Sequence, residues 1–402
     1  MSHPSPRTRP RIDAAQRRAR LGRRHLLAPD CRAATAEETA DAVVALHASD
    51  PATVHLAACA RLAVPDPKEV ERALYEDRSL VRMLCMRRTL FAVDAELAPV
   101  IASSTARAIA AKERRGLVKW VREGLGWDER RLAEVTDRTL AALAARGEAT
   151  AADLSAEVPE LRATIVNSPG KPYEATVAVA SRLLRTLAAE GSIRRSRPRG
   201  GWTSSTFRWA PGTALVDLAA PPAPEARAAL ARRWLAAYGP ATVEDLTWWT
   251  GWTRTDTRHA LAAVGAVEVT LDGDGGASTG VALPDDLDPV PTPAPWAALL
   301  PGLDPTAMGW KARDWYLDPA MTPRLFDRSG NVGPTVWWNG RIIGSWAQRP
   351  DGEIVRHLLS DEGGSAAAEA VAAEAARLTA WLGDVRVTPR FRTPLERELS
   401  TP

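Results

Sequence analysis

Only three cysteines occur in the 402 residues, Cys31, Cys59 and Cys85. They are odd in number and far apart, so neither a disulfide framework nor a cysteine zinc site is indicated. Lysine is nearly as scarce, with five among the 52 basic residues, and arginine supplies the rest. No apolar run approaches the roughly 18 residues that a membrane span needs. Residues 1–24 are rich in proline and arginine and lack the apolar stretch of a secretory signal, so a cytoplasmic location is expected. The patterns G-x-x-x-x-G-K-[ST] and H-E-x-x-H are absent, which excludes a phosphate-binding loop and that class of zinc protease. Asp272-Gly273-Asp274-Gly275-Gly276 begins like a calcium loop but lacks the third acid and the closing glutamate, and is read as a turn. The six histidines do not cluster. No metal and no organic cofactor is expected.

What the chain does have is a phrase used three times. It reads Ala34-Thr35-Ala36-Glu37-Glu38, then Gly147-Glu148-Ala149-Thr150-Ala151-Ala152-Asp153-Leu154, then Gly239-Pro240-Ala241-Thr242-Val243-Glu244-Asp245-Leu246. Each threonine suits an N-cap, and the acid three residues on can reach back to complete a capping box. Each phrase is followed by further helical spacing and a ribbon pattern, which suggests one small helix-and-wing unit repeated. In the first copy, Ala40, Val43, Val44 and Leu46 form a stripe, and Pro51 and Pro67 open further helices. Strands are then expected over residues 81–86 and 89–93, around Arg87-Arg88. The second copy has a helix over 177–187, then a ribbon made of Ile193 and residues 202–209 around a tip at 197–201. The third has Trp248-Trp249-Thr250-Gly251, a helix over 255–264, and strands near 267–270 and 281–283.

The winged helix is the natural candidate for such a unit, and it usually reads duplex nucleic acid. The expected fold is α+β, with three tandem winged-helix units and a C-terminal small β-barrel with a packed helix. The borders are a disordered basic arm at 1–13 and units at 14–95, 96–220 (with extra helices) and 221–284. The barrel-like region spans 285–402. Its signals are Asn339-Gly340 at a hairpin tip, a strand over 354–358, an alanine-rich helix over 365–381 and a last strand over 385–391. Thirteen of the 15 tryptophans lie after residue 200, and most are assigned to the core.

A net charge of +3 does not by itself announce a polyanion partner. Its distribution says more. Between residues 182 and 208, Arg182, Arg185, Arg194, Arg195, Arg197, Arg199 and Arg208 face the single acid Glu190. Together with Arg87 and Arg88 at the first ribbon, they are the candidate phosphate contacts.

These residues resemble the AlkZ-like and YcaQ-like winged-helix DNA glycosylases, bacterial enzymes that excise bulky alkylated bases and unhook interstrand crosslinks. The matching stretches are Val43 to Leu62, the ribbon around Met86-Arg87-Arg88-Thr89-Leu90, and Tyr238-Gly239-Pro240 through Trp248-Trp249-Thr250-Gly251. The loop from Leu300-Pro301 to Lys311, the hairpin at Asn339-Gly340-Arg341 and the ending Pro389-Arg390-Phe391 match as well. The resemblance implies a C-shaped channel around duplex DNA, alkylated or crosslinked, and a monomer acting alone. It also implies that the family's Gln-x-Gln or Gln-x-Asp motif, just before Asp-Pro, lies at Leu46-His47-Ala48-Ser49-Asp50-Pro51. His47 and Ser49 stand at the two motif positions, which makes them the candidate catalytic pair.

On an extended segment, residues 47 and 49 would point the same way and Ala48 into the core. N7-alkylguanine is already cationic, so its departure needs no strong acid. What remains is to place water beneath an oxocarbenium-like sugar. A neutral His47 would take a proton from that water, and the rate would rise through a pKa of about 6.5. Ser49 would hold the water, and Asp50 would cap the Pro51 helix. The alternative is a non-catalytic DNA-binding protein, either a transcription regulator or a lesion-shielding factor for genotoxin self-resistance.

Overall fold

The computed structural model describes residues 9–273 and 276–401. Helices and small, separate sheets alternate along the chain, an α+β arrangement. No helix among the described residues is long and apolar enough to cross a membrane.

Residues 1–8 of the expected arm lie outside the described residues, but the remainder is not irregular. Arg11–Asp13 form a strand that pairs in parallel with Val267–Gly273, which pairs antiparallel with Gly276–Ala282. Strand alternation explains it. Ile12 is buried, while Arg11 reaches Asp272 with bonds of 3.1 and 2.7 Å. Asp13 then caps the helix Ala14–Arg24, whose Arg24 and Arg20 bond the carbonyls of Gly239 and Asp288, both at 2.7 Å. The N-terminal segment therefore joins the third repeat in space, across the border expected at residue 14. The turn expected at 272–276 has Asp274-Gly275 outside the described residues.

The first repeat holds the helices Ala36–Ala42, Pro51–Cys59 and Pro67–Glu71 and a three-stranded sheet. In that sheet Thr89–Asp94 lies between Leu46–His47 and Leu80–Cys85. The second repeat opens on two long helices, Arg107–Leu125 and Glu129–Arg146, and adds a hairpin, Thr164–Asn167 with Ala175–Ala178, that no pattern announced. Its later helix runs Val179–Ala189. The third holds Ala223–Tyr238, Val243–Thr250 and Arg254–Ala263.

Full capping boxes close at Thr150/Asp153 and Thr242/Asp245. At Thr35 the hydroxyl accepts the Glu38 N–H, but the Glu38 carboxylate goes to the Ala34 N–H instead (2.7 Å).

Further expectations fail. The second ribbon is short as a regular ladder, over Ile193–Arg195 and Trp209–Pro211, and continues only loosely through the Ser196 N–H to the Arg208 carbonyl (2.8 Å) and the Arg199 N–H to the Thr206 carbonyl (2.7 Å). At its tip Trp202 is buried, stacked on His55 at 4.9 Å and beside Trp381 at 5.3 Å, so the tip packs on the protein.

The C-terminal sheet is also not a barrel. Its four antiparallel strands run in the order Ala297–Leu300, Thr335–Trp338, Arg341–Gln348, Ile354–Leu358, and its edges stay apart. Helix Gly364–Leu382 packs on one face. Residues 385–391 form no strand. The Gln348 amide bonds the Val385 carbonyl (3.1 Å) and accepts the Val387 N–H (2.8 Å), taking the place of a ladder. Most tryptophans are indeed core, among them Trp234, Trp249, Trp310 and Trp337.

Candidate active site and nucleic-acid interface

His47 ends a two-residue strand, held by pairing with Phe91 and by edge contact of the two rings at 5.3 Å. The chain then bends toward the Pro51 helix. The Ser49 N–H donates to His47 Nδ1 (3.4 Å), which places the ring proton on Nε2. Burial, with the nearby Arg87 charge second, pushes the His47 pKa down to about 3. The ring is therefore neutral throughout the physiological range, and the expected titration near 6.5 is corrected by its surroundings.

A cleft of about 350 Å³ opens at His47. Arg87, Thr89, Trp248, Met308 and Arg313 line it, with the loop 329–331 opposite. That volume is within the range of small-molecule sites, roughly 300–1,000 Å³. A larger basin of about 930 Å³ shares Ser329 with it and carries Arg328, Arg390, Arg392 and Arg397.

Ser49 does not line the cleft, since the strand has already ended. Its carbonyl accepts from Arg390 (3.4 Å). Ala48 sits in the core as expected. Asp50 is the N-cap, and its two oxygens accept from Ala52 N–H (3.1 Å) and Arg390 N–H (2.8 Å). It serves as a cap and a tie to residue 390, and it does not line the cleft.

Arg87 lies at the turn between two strands with φ of 54°, and Arg88 follows at 62°. Its guanidinium stands 3.8 Å above the Trp248 ring, and burial lowers its pKa to about 10. Gly251 explains why the Trp-Trp-Thr-Gly phrase ends as it does. At φ 76°, a Cβ there would lie 3.3 Å from the Arg87 backbone nitrogen, so glycine lets the two turns close up. Trp248 and Arg313 were not among the sequence candidates. They lie 161 and 226 positions after Arg87, and the tryptophan phrase was the only signal for either.

The arginine strip is less uniform than its composition suggested. Arg88 pairs with Glu113 (3.0 Å), and Arg197 is held by Glu71 (3.5 Å) and Glu76 (2.8 Å) on the first repeat. Arg195 packs 4.3 Å over Phe207, and burial lowers its pKa to about 10, with Arg82 and Arg390 adding to the shift. Arg194 is half-buried, and Arg208 lies 4.0 Å from Glu148. Arg182 stands 4.7 Å over Trp120. Arg185 and Arg199 are exposed and make no ion pair among the described residues. A strip read as one phosphate face is thus partly an internal fastening.

Buried histidines also set a pH dependence of stability. His25, His47 and His55 are all held below their ordinary pKa by burial, His47 and His55 to about 3. The unfolded chain takes up protons below about 6.5 and the folded chain does not, so stability is full above that pH and falls as pH drops. At about 1.4 kcal/mol per pH unit, each of His47 and His55 removes about 2 kcal/mol between pH 6.5 and 5. Denaturant midpoints at pH 7.5 and 5 test this, and His55→Gln should flatten the difference.

The model of the DNA glycosylase AlkZ-like family matches residues 40–381. No curated protein sequence matches. Among solved structures, the Streptomyces sahachiroi DNA glycosylase AlkZ is similar in fold, with a TM-score of 0.69 and 22% identity. The alignment covers 94% of this chain and 99% of that one. Since the family match extends over most of the sequence, the chain belongs to the AlkZ-like DNA glycosylase family.

Proposed function

We propose that this protein is a DNA glycosylase that lodges an alkylated or otherwise adducted base of duplex DNA in the His47 cleft and hydrolyses its N-glycosidic bond. The observation that carries the reading is the position of the cleft. The segment that resembles the family's catalytic motif borders an open, cationic pocket of ligand size. In this reading the three repeats act as winged-helix units of one monomer along the duplex, and no dimer is needed to present half-sites.

Water attacks C1′ as the sugar becomes oxocarbenium-like. His47, neutral and protonated on Nε2, serves as a hydrogen-bond donor rather than as a strong base. A dissociative reaction tolerates this, because water that has added to the cation gives its proton to solvent. Ser49 acts through its backbone N–H, which fixes the His47 tautomer. Unhooking of a crosslink would be the same bond cleavage at one tethered base.

Single-turnover base release from lesion-bearing duplexes is the test, and release from none of them would sink the proposal. One observation favours a non-catalytic lesion binder instead: no carboxylate lines the cleft among the described residues. In that case affinity for a lesion would exceed affinity for undamaged duplex without any base being released.

Duplex grip is separately testable. Each neutralised phosphate contributes about 0.9 to the slope of log K against log salt. Arg185→Ala and Arg199→Ala should each flatten the slope by about that amount, whereas Arg197→Ala, whose charge is already paired, should leave it unchanged. An equal loss at all three positions would mean that the Glu71 and Glu76 contacts open on DNA.

A further inference from the structure

We infer that the Thr89 hydroxyl, together with His47, holds the attacking water, the role expected from the sequence for Ser49; the inference rests on the glycosylase reading of the same cleft. Thr89 lines the cleft beside His47, whereas Ser49 does not. The sheet decides this. The Ala48 N–H still bonds the Leu90 carbonyl on strand Thr89–Asp94 (2.9 Å), but the next N–H, that of Ser49, turns back to His47 Nδ1. The chain then enters the Pro51 helix. The place beside His47 is therefore filled from the facing strand.

Alternation fixes where Thr89 points. His47 pairs with Phe91, and directly opposed residues of an antiparallel pair present their side chains to one face. Leu46, Ala48, Leu90 and Ala92 all pack into the core on the other face. Thr89 lies two residues before Phe91 and so shares the face of His47. Diagonal neighbours of this kind stand about 7–8 Å apart at the backbone, within reach of each other across one water.

That water needs an acceptor. His47 Nδ1 already accepts the Ser49 N–H, so the ring offers only its Nε2–H. Arg87, Arg313 and the Trp248 indole are donors alone. On the loop opposite, the Asn331 side-chain amide is tied to Asp327 at 2.8 Å. The Thr89 hydroxyl makes no hydrogen bond among the described residues. Its neighbours leave it so, because the Thr89 N–H is taken by the Met86 carbonyl and the Cys85 thiol across the ladder is turned to the Met83 carbonyl (3.6 Å).

A water between the two side chains accepts the Nε2–H and donates one proton to Thr89 Oγ1, which leaves its second lone pair for C1′. The C1′–N bond breaks with its electron pair staying on the base, and the water lone pair forms the O–C1′ bond. One proton of the added water passes to Thr89, which gives up its own to solvent, so the hydroxyl ends as it began. A cationic base leaves uncharged, and an uncharged base takes up a proton from solvent. The contribution is one of position, since a fixed nucleophile meets the cation without a strong base.

The experiment measures single-turnover base release by the wild type, Thr89→Val and Thr89→Ser, in buffer containing dilute methanol. The duplexes carry N7-methylguanine or 1,N6-ethenoadenine. Valine keeps the shape and suits a strand. It should slow release by roughly 10²-fold, the cost of a misplaced reactant, with duplex affinity and denaturant midpoint near those of the wild type. Serine keeps the hydroxyl and should recover most of the rate. The products give a readout that a purely structural role would not move. A held water excludes methanol, so the wild type should form little methyl glycoside relative to abasic sugar, and Thr89→Val should raise that share toward the solvent ratio.

A valine variant as fast as the wild type overturns the inference and leaves the glycosylase reading standing. So does a slow one whose methyl glycoside share matches the wild type, or one that loses duplex affinity, because the hydroxyl would then hold the strand or a phosphate. A wild type that releases neither base ends the glycosylase reading, and the role of Thr89 with it.

Discussion

Replacing His47 by alanine should lower the single-turnover rate of base release by roughly 10²–10³-fold, the cost of removing one preorganised donor at a site of developing charge. Duplex affinity should change by only a few-fold, since the ring is buried and reaches the DNA only through the cleft. The pH profile separates this role from general-base catalysis. Burial holds the His47 pKa at about 3, so the ring neither gains nor loses a proton between about pH 5 and 8. The wild-type rate should therefore be level across that range. A base of ordinary pKa would instead give a rate that climbs through about 6.5. An inflection near 6.5 that disappears in His47→Ala would reject the donor role. His47→Gln is the informative companion, because a side-chain amide can still donate from about the same place and should recover part of the loss.

The parts of this fold that were legible in the sequence are those whose cause is local. Thr150 with Asp153 and Thr242 with Asp245 close their capping boxes within four residues, and Asn339-Gly340 supplies the positive φ that its hairpin tip requires. Asp50 before Pro51 caps its helix as read.

The parts that were not legible depend on distant partners. Nothing within residues 196–208 says that Trp202, at the ribbon's tip, will be buried against His55. Nothing near residue 385 says that the Gln348 side chain will stand in for a neighbouring strand. Arg197 looked like its neighbours until Glu71 and Glu76 came to face it from more than a hundred residues away.

The site divides in the same way. His47 was legible because a motif position marked it. Its protonation was not, because the pKa depends on burial and on Arg87 across the sheet. Trp248 reaches the cleft from the third repeat and Arg313 from the C-terminal region, and only the folded chain brings their charge and ring together.

The largest effect on stability should come from the buried pair Arg61–Asp304. Both side chains are fully inaccessible. The guanidinium makes two bonds to the carboxylate, 2.9 Å to Oδ2 and 2.8 Å to Oδ1, and adds bonds to the Ala57 carbonyl and the Thr306 hydroxyl, both at 2.8 Å. The Thr306 hydroxyl in turn meets His25 Nδ1 at 2.8 Å. The end of the Pro51 helix, the loop that begins at residue 301 and the first helix are thus fastened at one point, and that loop goes on to Met308 in the wall of the cleft. Arg61→Met removes the cation and leaves a carboxylate with no route to water, which costs roughly 3–5 kcal/mol. Guanidinium chloride unfolding should show the loss as a lowered midpoint. Asp304→Leu alone should cost a comparable amount, because it strands the arginine. The double variant Arg61→Met/Asp304→Leu removes both desolvated charges and should regain much of the loss, so the two single effects should be far from additive. Additive losses would mean that the pair is not coupled and that packing of the long arginine stem holds this junction. Base release gives a second readout. In the double variant at a temperature where it stays folded, the rate should approach wild type, because the fastening positions the cleft wall without touching the reacting base.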